Sequence, residues 1–285
     1  MDVRTGVNVP HNEYFPAPRA AQRPLPWWAT LDSDARELTK FWPVVRNMVV
    51  QDLRVRYQRS VLGFFWTLLN PILMMTTMTL VFSQIFKMDK YAIYLFAGMV
   101  PWNFLSGSLG DSAFCIIANE GLIRKIYLPK LIFPITRVLF NLTTFVLSLT
   151  ALFILLVPLG ARFSAPFVLL PVAIALLSLF VLGLGLIVAT LNTFYRDCGH
   201  LVGVFLQAWY FATPIMYEAS MFQKWQSRLW LNPAYSFIRI FQIIIRDGNW
   251  PPASLFLWAG VIALTSLGIG YGSFKSQENK MVFRL

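Results

Sequence analysis

The sequence predicts an all-α integral membrane protein with six transmembrane helices and an N-terminal amphipathic interface helix. Short re-entrant or interfacial helices lie between the fifth and sixth spans, and both termini are cytoplasmic. Three observations predict this. Charged residues make up 13% of the 285-residue chain, 57% are hydrophobic, and the mean hydropathy is +0.59. A soluble domain carries roughly 25% charged residues, so too few charges remain here to cover a soluble surface. Uncharged stretches repeatedly reach the roughly 20 residues that cross a bilayer as a helix. Finally, Lys and Arg cluster in alternate connecting segments, as cytoplasmic loops require.

The elements follow in order. Residues 1–30 place Arg4, Arg19 and Arg23 among Pro10, Pro16, Pro18, Pro24 and Pro26. No apolar signal-peptide core follows them. Such a composition cannot bury enough surface to offset its ordering entropy, so a disordered cytoplasmic arm is predicted. Residues 31–60 carry Val45, Met48, Val49, Leu53, Val55 and Tyr57 at roughly helical spacing, interleaved with Arg46, Gln51, Asp52, Arg54, Arg56 and Arg59. This is a basic amphipathic helix suited to an anionic inner leaflet. Asp32, Ser33 and Asp34 are candidate N-caps, and Trp42-Pro43 marks a bend or restart. Residues 61–285 form the six-span domain. The apolar runs are 61–86, 91–119, 138–161, 163–195, 199–217 and 248–274, the second interrupted by Asp111 and the fifth by His200. Gly183, Gly185 and Gly203 suit close helix packing. The segment from Glu218 to Asn249 is apolar and aromatic but interrupted by Lys224, Arg228, Arg239 and Arg246. That pattern suits short helices dipping into the outer interface.

Of the 24 Lys and Arg, 17 fall in the N-terminal segment, in 119–137, in 192–200 and in 275–285. These segments are therefore assigned to the cytoplasm. A net charge of +11 would suggest nucleic acid in a soluble protein; distributed in this way it points to the inner membrane face. No phosphate loop of the G-x-x-x-x-G-K-[ST] type is present, and no H-E-x-x-H. Cys115 and Cys198, without paired spacing, indicate neither a disulfide framework nor a metal site. Asp32-Ser33-Asp34 is the one D-x-D in a cytoplasmic segment, and it sits at a predicted helix start. Energy for uphill transport would have to come from another chain.

Several segments resemble one family in order and spacing. They are Asp52 to Pro71 (DLRVRYQRSVLGFFWTLLNP), Phe96 to Phe104 (FAGMVPWNF), Asn119 to Pro134 (NEGLIRKIYLPKLIFP), Asn192 to Val202 (NTFYRDCGHLV), Ala212 to Tyr217 (ATPIMY) and Leu231-Asn232-Pro233. Together they are similar to the membrane (permease) subunit of ATP-binding-cassette O-antigen and polysaccharide exporters, to which capsule and teichoic-acid export permeases are related. The departures are the Pro-rich arm and Thr193-Phe194. The resemblance implies an inner-membrane, non-enzymatic transport subunit. Two copies would pair with two separate cytoplasmic nucleotide-binding subunits, and ATP and Mg would be held on those partners, with no cofactor in this chain. The pair would form a channel for polysaccharide on a polyprenyl-pyrophosphate lipid.

The same resemblance implies residue roles. Glu120, Gly121, Leu122, Ile123, Arg124, Lys125 and Tyr127 would form the helix that couples to the ATPase. Arg54, Arg56, Tyr57 and Arg59 would lie near the lipid pyrophosphate, since the planar guanidinium bonds two oxygens at once; anchoring to anionic lipid is the alternative. Phe64, Phe65, Trp66, Trp102, Phe104, Trp209, Tyr210, Phe211 and Tyr217 would line the channel and stack on sugar rings; ordinary packing and interface belts are the alternative. A drug or small-lipid exporter of the same superfamily, and a membrane glycosyltransferase, are the competing functions.

Overall fold

The computed structural model describes residues 30–58, 65–86, 90–156, 164–222, 226–281 and 283–284. The predicted arm therefore lies outside the described residues, except for Thr30. The helices are α1 (Leu31–Lys40), α2 (Trp42–Tyr57), α3 (Phe65–Phe86), α4 (Tyr91–Phe114), α5 (Glu120–Ile123), α6 (Ile132–Leu156), α7 (Leu170–Phe194), α8 (Cys198–Ala212), α9 (Pro233–Gln242) and α10 (Ala253–Met281). No strand occurs among the described residues. Three segments are long and apolar enough to cross a membrane by themselves: Ile132–Thr150, Ala165–Phe194 and Ala253–Met281. The apolar helical runs Ile72–Ser83 and Cys198–Ala212 are shorter.

The predicted interface helix is two helices. Pro43 occupies the first turn of α2, where its missing N–H costs nothing, and the chain breaks at Phe41. Asp32, Ser33 and Asp34 do not cap α1. Thr30 holds the cap position without a side-chain bond, and Asp34 is instead buried. On α2, Val45 is buried while Val55 is 63% exposed, so the apolar face is narrower than the spacing suggested.

The two longest-buried helices are α4 and α7, and α7 also packs against α6, α8, α9 and α10. Lipid is as apolar as a leucine side chain, so helix pairs in a membrane are held by close packing of small residues. The α7–α10 crossing shows this. A Cβ at Gly183 would run into the backbone of Ser266 and Leu267, and one at Gly270 would run into the Gly183 carbonyl. Ser266 donates to the Phe180 carbonyl at 3.0 Å across the same crossing. Gly185 is close to Ser112 of α4, whereas Gly203 faces open space and packs against nothing. The opposite face of α10 presents Leu257, Val261, Leu264 and Ile269, an apolar stripe of the kind lipid accepts.

The predicted fifth span, 199–217, is shorter in the structure. α8 ends at Ala212 because the proline at 214 pushes Thr213 out of the helical region, to φ −105° and ψ 130°. Its 15 residues reach about 22 Å at 1.5 Å per residue. The chain then turns back through two 3₁₀ turns into α9, a π-turn (Ile243–Asp247) and Gly248, whose φ of +65° is the left-handed conformation glycine favours. α9 is 10 residues long, too short to cross, and nearly every side chain from Ala234 to Gln242 is buried.

The unwound segment is held by side chains. Tyr94 donates to the carbonyls of Pro214 (3.0 Å) and Tyr217 (2.6 Å), Tyr91 to Met216 (3.0 Å) and Gln242 to Pro214 (2.9 Å). Asn232 joins α8 to α9. Its carbonyl oxygen accepts from Trp209 (2.7 Å) and from the Ala234 amide (3.1 Å), and its amide donates to Thr213 (2.9 Å). Arg246 pairs with Glu218 and lies 5.0 Å from the Tyr94 ring centre. Burial would raise the Glu218 carboxyl, but the bonds from Arg246 and Ser220 outweigh it and hold it below its ordinary 4.5.

Two predictions follow from this packing. Gly270→Ala should lower the thermal midpoint of the purified protein, because forcing a methyl into a close-packed crossing costs about 1–3 kcal/mol. Gly268→Ala, two residues away with no atom near, should leave the midpoint unchanged or slightly raised. Glu218 has a depressed pKa, so its ion pair stabilises the fold above the ordinary value and that contribution fades as pH falls through the folded value. Thermal midpoints should therefore separate wild type from Glu218→Gln at neutral pH and converge below pH 4.5. Equal midpoints at all pH would assign the pair no role.

Candidate functional site

At one end of the bundle, a second apolar core gathers Val45 of α2, Cys115 and Ile116, Leu128, Leu131, Ile132 and Phe133, the end of α7 and the end of α10. It clamps both roots of the connection from α4 to α6. Between those roots, residues 121–127 stand out from the surface. Leu122 is 36%, Ile126 51% and Tyr127 76% exposed, beside the exposed Arg124 and Lys125. α5 is one turn within this knuckle, and Arg124 pairs with Glu120 at 2.8 Å. A projecting turn that mixes apolar and basic groups on a rigid base can dock into a groove of another protein. Beside it lies the connection from α7 to α8. There the buried Asn192 donates to the Ala113 carbonyl (2.8 Å) and accepts from the Gly199 amide (2.6 Å), while Tyr195, Arg196 and Asp197 are exposed.

The α1 helix is tied into the same end. Asp34 accepts from Tyr271 (2.6 Å) and Lys275 (2.8 Å), and Lys275 also meets Glu278 at 2.8 Å. The sequence reading missed this cluster. It took Asp34 for a cap, and no local spacing could have revealed a bond spanning 237 residues.

α2 lies against α6. Arg137 of α6 bonds Asp52 at 2.9 Å. Burial pushes the Asp52 carboxyl above its usual range, with Arg137 opposing and the charge of Asp111 adding to the rise. Arg56 lies over the Phe140 ring at 5.3 Å, and Asn141 donates to Asp111 at 2.7 Å. Arg54 and Arg56 are exposed and, with Arg137, form a basic edge that an anionic headgroup could meet. Asp111, which interrupts the second apolar run, is bonded across to α6. Arg59 lies outside the described residues, and so does the side chain of Tyr57.

The aromatic candidates divide. Trp102 of α4 contacts Trp209 edge-on at 5.8 Å and Tyr210 at 5.6 Å. Tyr210 in turn meets Phe211 at 5.4 Å, and Phe211 is 60% exposed. Tyr217 donates to the Phe211 carbonyl at 2.7 Å. Of these rings, Trp102, Tyr210 and Phe211 border an open cleft of about 420 Å³ between α3, α4 and α8, which Met74, Met78 and Met99 also line. Flat rings facing flexible thioethers offer an adaptable apolar surface. Phe104 is not part of it. It is 3% exposed and stacks on Phe145 at 5.0 Å, and Trp102, though it borders the cleft, is itself buried at 4% exposure. Phe64 lies outside the described residues, as do the side chains of Phe65 and Trp66. Among the described residues, no group of three or more His, Cys, Asp or Glu could hold a metal ion.

Comparison with known proteins agrees with this architecture. Residues 44–245 match the model of the ABC-2 type transporter family. The chain is 32% identical over 250 residues to the O-antigen export system permease protein RfbA of Myxococcus xanthus, covering 86% of this chain and 96% of that protein. It is 28% identical over 240 residues to an RfbA permease of Klebsiella pneumoniae, covering 82% and 90%. It is 22% identical over 245 residues to the polysialic acid transport protein KpsM of Escherichia coli, covering 84% and 95%. A family match across 44–245 and a relative above 30% identity over most of both chains lead to one conclusion: this chain belongs to the ABC-2 type transporter membrane family.

Proposed function

We propose that the chain is the channel-forming membrane subunit of an ATP-driven exporter that moves lipid-linked polysaccharide of the O-antigen kind across the inner membrane. The observation that carries this reading is the near full-length similarity to the Myxococcus xanthus permease. In this reading α3, α4, α6, α7, α8 and α10 are six spans, with both termini cytoplasmic. Two copies work with two separate ATPase subunits, which hold ATP and Mg. The 17 of 24 basic residues on one set of segments support that orientation.

Each surface then has a role. The knuckle formed by Glu120, Gly121, Leu122, Ile123, Arg124, Lys125 and Tyr127 docks the ATPase. Its exposed apolar tips and buried roots suit a contact that must transmit movement. Arg54 and Arg56, with Tyr57 and Arg59 beside them in sequence, meet the lipid pyrophosphate at the inner leaflet. Trp209, Tyr210, Phe211 and Tyr217 give sliding contacts for sugar rings, whose C–H faces are apolar, and the buried Trp102 packs against Trp209 and Tyr210. Trp66 and Phe64 would extend that surface along the first span.

Deleting the chain in its host should remove polysaccharide from the cell surface and accumulate lipid-linked glycan inside. Both pools are measured by extraction and sugar analysis, and unchanged pools would refute polysaccharide export. Replacing both Arg124 and Lys125 with Glu should leave the protein in the membrane but cut export at least tenfold, because reversing the charge of a docking face sets like charges together. Export at the wild-type rate would remove the knuckle from the coupling role.

A further inference from the structure

The face of α4 that borders the aromatic cleft carries polar side chains, Asn103 and Ser106, beside Met99 and Trp102, where the exposed face of α10 is apolar. Asn103 is exposed, and Ser106 is half-buried one turn further along. Across the cleft, α8 presents the exposed Gln207 next to Tyr210. Asn103 is the thirteenth of the 24 residues of α4 and Gln207 the tenth of the 15 of α8, so neither lies in a terminal turn. Among the described residues, neither amide makes a side-chain hydrogen bond; the nearest such bond is the 3.4 Å contact from the Ser106 hydroxyl to the Asn103 carbonyl. An amide left unbonded in hydrocarbon is costly. Exposed amides at this depth therefore face water, another chain or a polar cargo. No charged side chain is among the described residues lining the cleft.

We propose that this cleft is a selectivity site for uncharged sugar units. Asn103, Ser106 and Gln207 bond the hydroxyl edges of a glycan whose C–H faces rest on Phe211 and on Tyr210, which packs against the buried Trp102. The inference rests on the polysaccharide reading above and narrows it. The pairing of amides with rings matches the two chemical faces of a pyranose, and amides both donate to and accept from hydroxyls. With no Lys or Arg among the described residues lining it, the cleft disfavours a polyanionic segment, whose charges would be desolvated with no counter-charge there. The charged stations, Arg54, Arg56 and Arg137, lie elsewhere, along α2 and the start of α6.

The test uses the full chain assembled with its ATPase in membrane vesicles, with Cys115 and Cys198 changed to Ala. Asn103→Cys and Gln207→Cys should both react with a membrane-impermeant, water-soluble thiol reagent. A neutral glucose oligosaccharide should slow that reaction severalfold, and a sialic acid oligomer of equal length should not. Equal protection by both, protection by neither, or a disulfide between two copies at Asn103→Cys would overturn the assignment. The last result would place the stripe in an interface between copies. In cells, Asn103→Leu and Gln207→Leu should each reduce surface polysaccharide about fivefold, the scale of one lost hydrogen bond, with the protein still present in the membrane. Wild-type export by these variants, in a host where deletion abolishes export, would sink the selectivity site and leave the exporter reading standing. Unchanged surface polysaccharide on deletion would sink both.

Discussion

The structure depends on one constraint: a backbone that leaves its helix within a membrane must still have its carbonyls bonded. The constraint acts where α8 stops at Ala212. Residues 213–217 have no helix to satisfy them, and the carbonyls of Pro214, Met216 and Tyr217 receive bonds from Tyr91, Tyr94 and Gln242. That arrangement fixes α4 against the break, because both tyrosines sit on its first turn. It fixes α9 as well, because Gln242 and Asn232 bracket it. The polar cleft formed by Glu218, Arg239, Arg246 and Asp247 then closes over the returning chain. The short α8 and the aromatic surface it carries are consequences of this break.

The other end is organised by different forces. Exposed ion pairs such as Arg124–Glu120 contribute little, since solvent screens them. The pairs that matter are partly buried: Asp34 with Lys275 and Tyr271, and Asp52 with Arg137. Removing one partner of such a pair leaves a charge without compensation. These pairs join α1 to α10 and α2 to α6, and the apolar core beneath the knuckle joins both to the connection between α4 and α6. A close-packed unit resists compression and passes displacement on. A push on residues 121–127 is therefore delivered to α4, α6 and the end of α10 together.

Much of the fold was legible in the sequence because its signals are local. The six apolar runs each contain a helix or most of one, three of them long enough to cross a membrane, and the basic flank before α3 is helical as its spacing predicts. The element boundaries that failed did so at prolines, where one residue outweighs the average of a window. Pro43 split the interface helix, and Pro214 shortened the fifth run to Ala212. The candidate sites divide in the same way. Residues 120–127 project because a short charged segment between two apolar runs has nowhere else to go. Trp102 and Phe104 are both buried, at 4% and 3%, while Asn103 between them is exposed, a difference that local composition does not show. The pairs Asp34–Lys275, Asp52–Arg137 and Glu218–Arg246 were invisible because each closes a loop of many residues, and no spacing rule reaches that far.

Under the proposed function, the charges and amides along α4 and its neighbours bear on how one chain would present two chemistries to a single cargo. Cations cluster where α2 crosses the start of α6, where Arg56 covers Phe140 and Arg137 holds Asp52. Halfway along α4 the exposed groups become Asn103 and Ser106, and the facing groups on α8 are Gln207 and Tyr210. A guanidinium halfway across a bilayer would cost several kcal/mol on some scales and more on others; an amide that finds a hydroxyl costs far less. A surface required to hold an anion must therefore keep its arginines at the membrane boundary. A surface required to let a long polar chain pass must use neutral donors over rings, because contacts of moderate strength release as readily as they form. Among the described residues, the distribution of charge at the edge and amides beside aromatics in the middle meets both requirements of the proposed function.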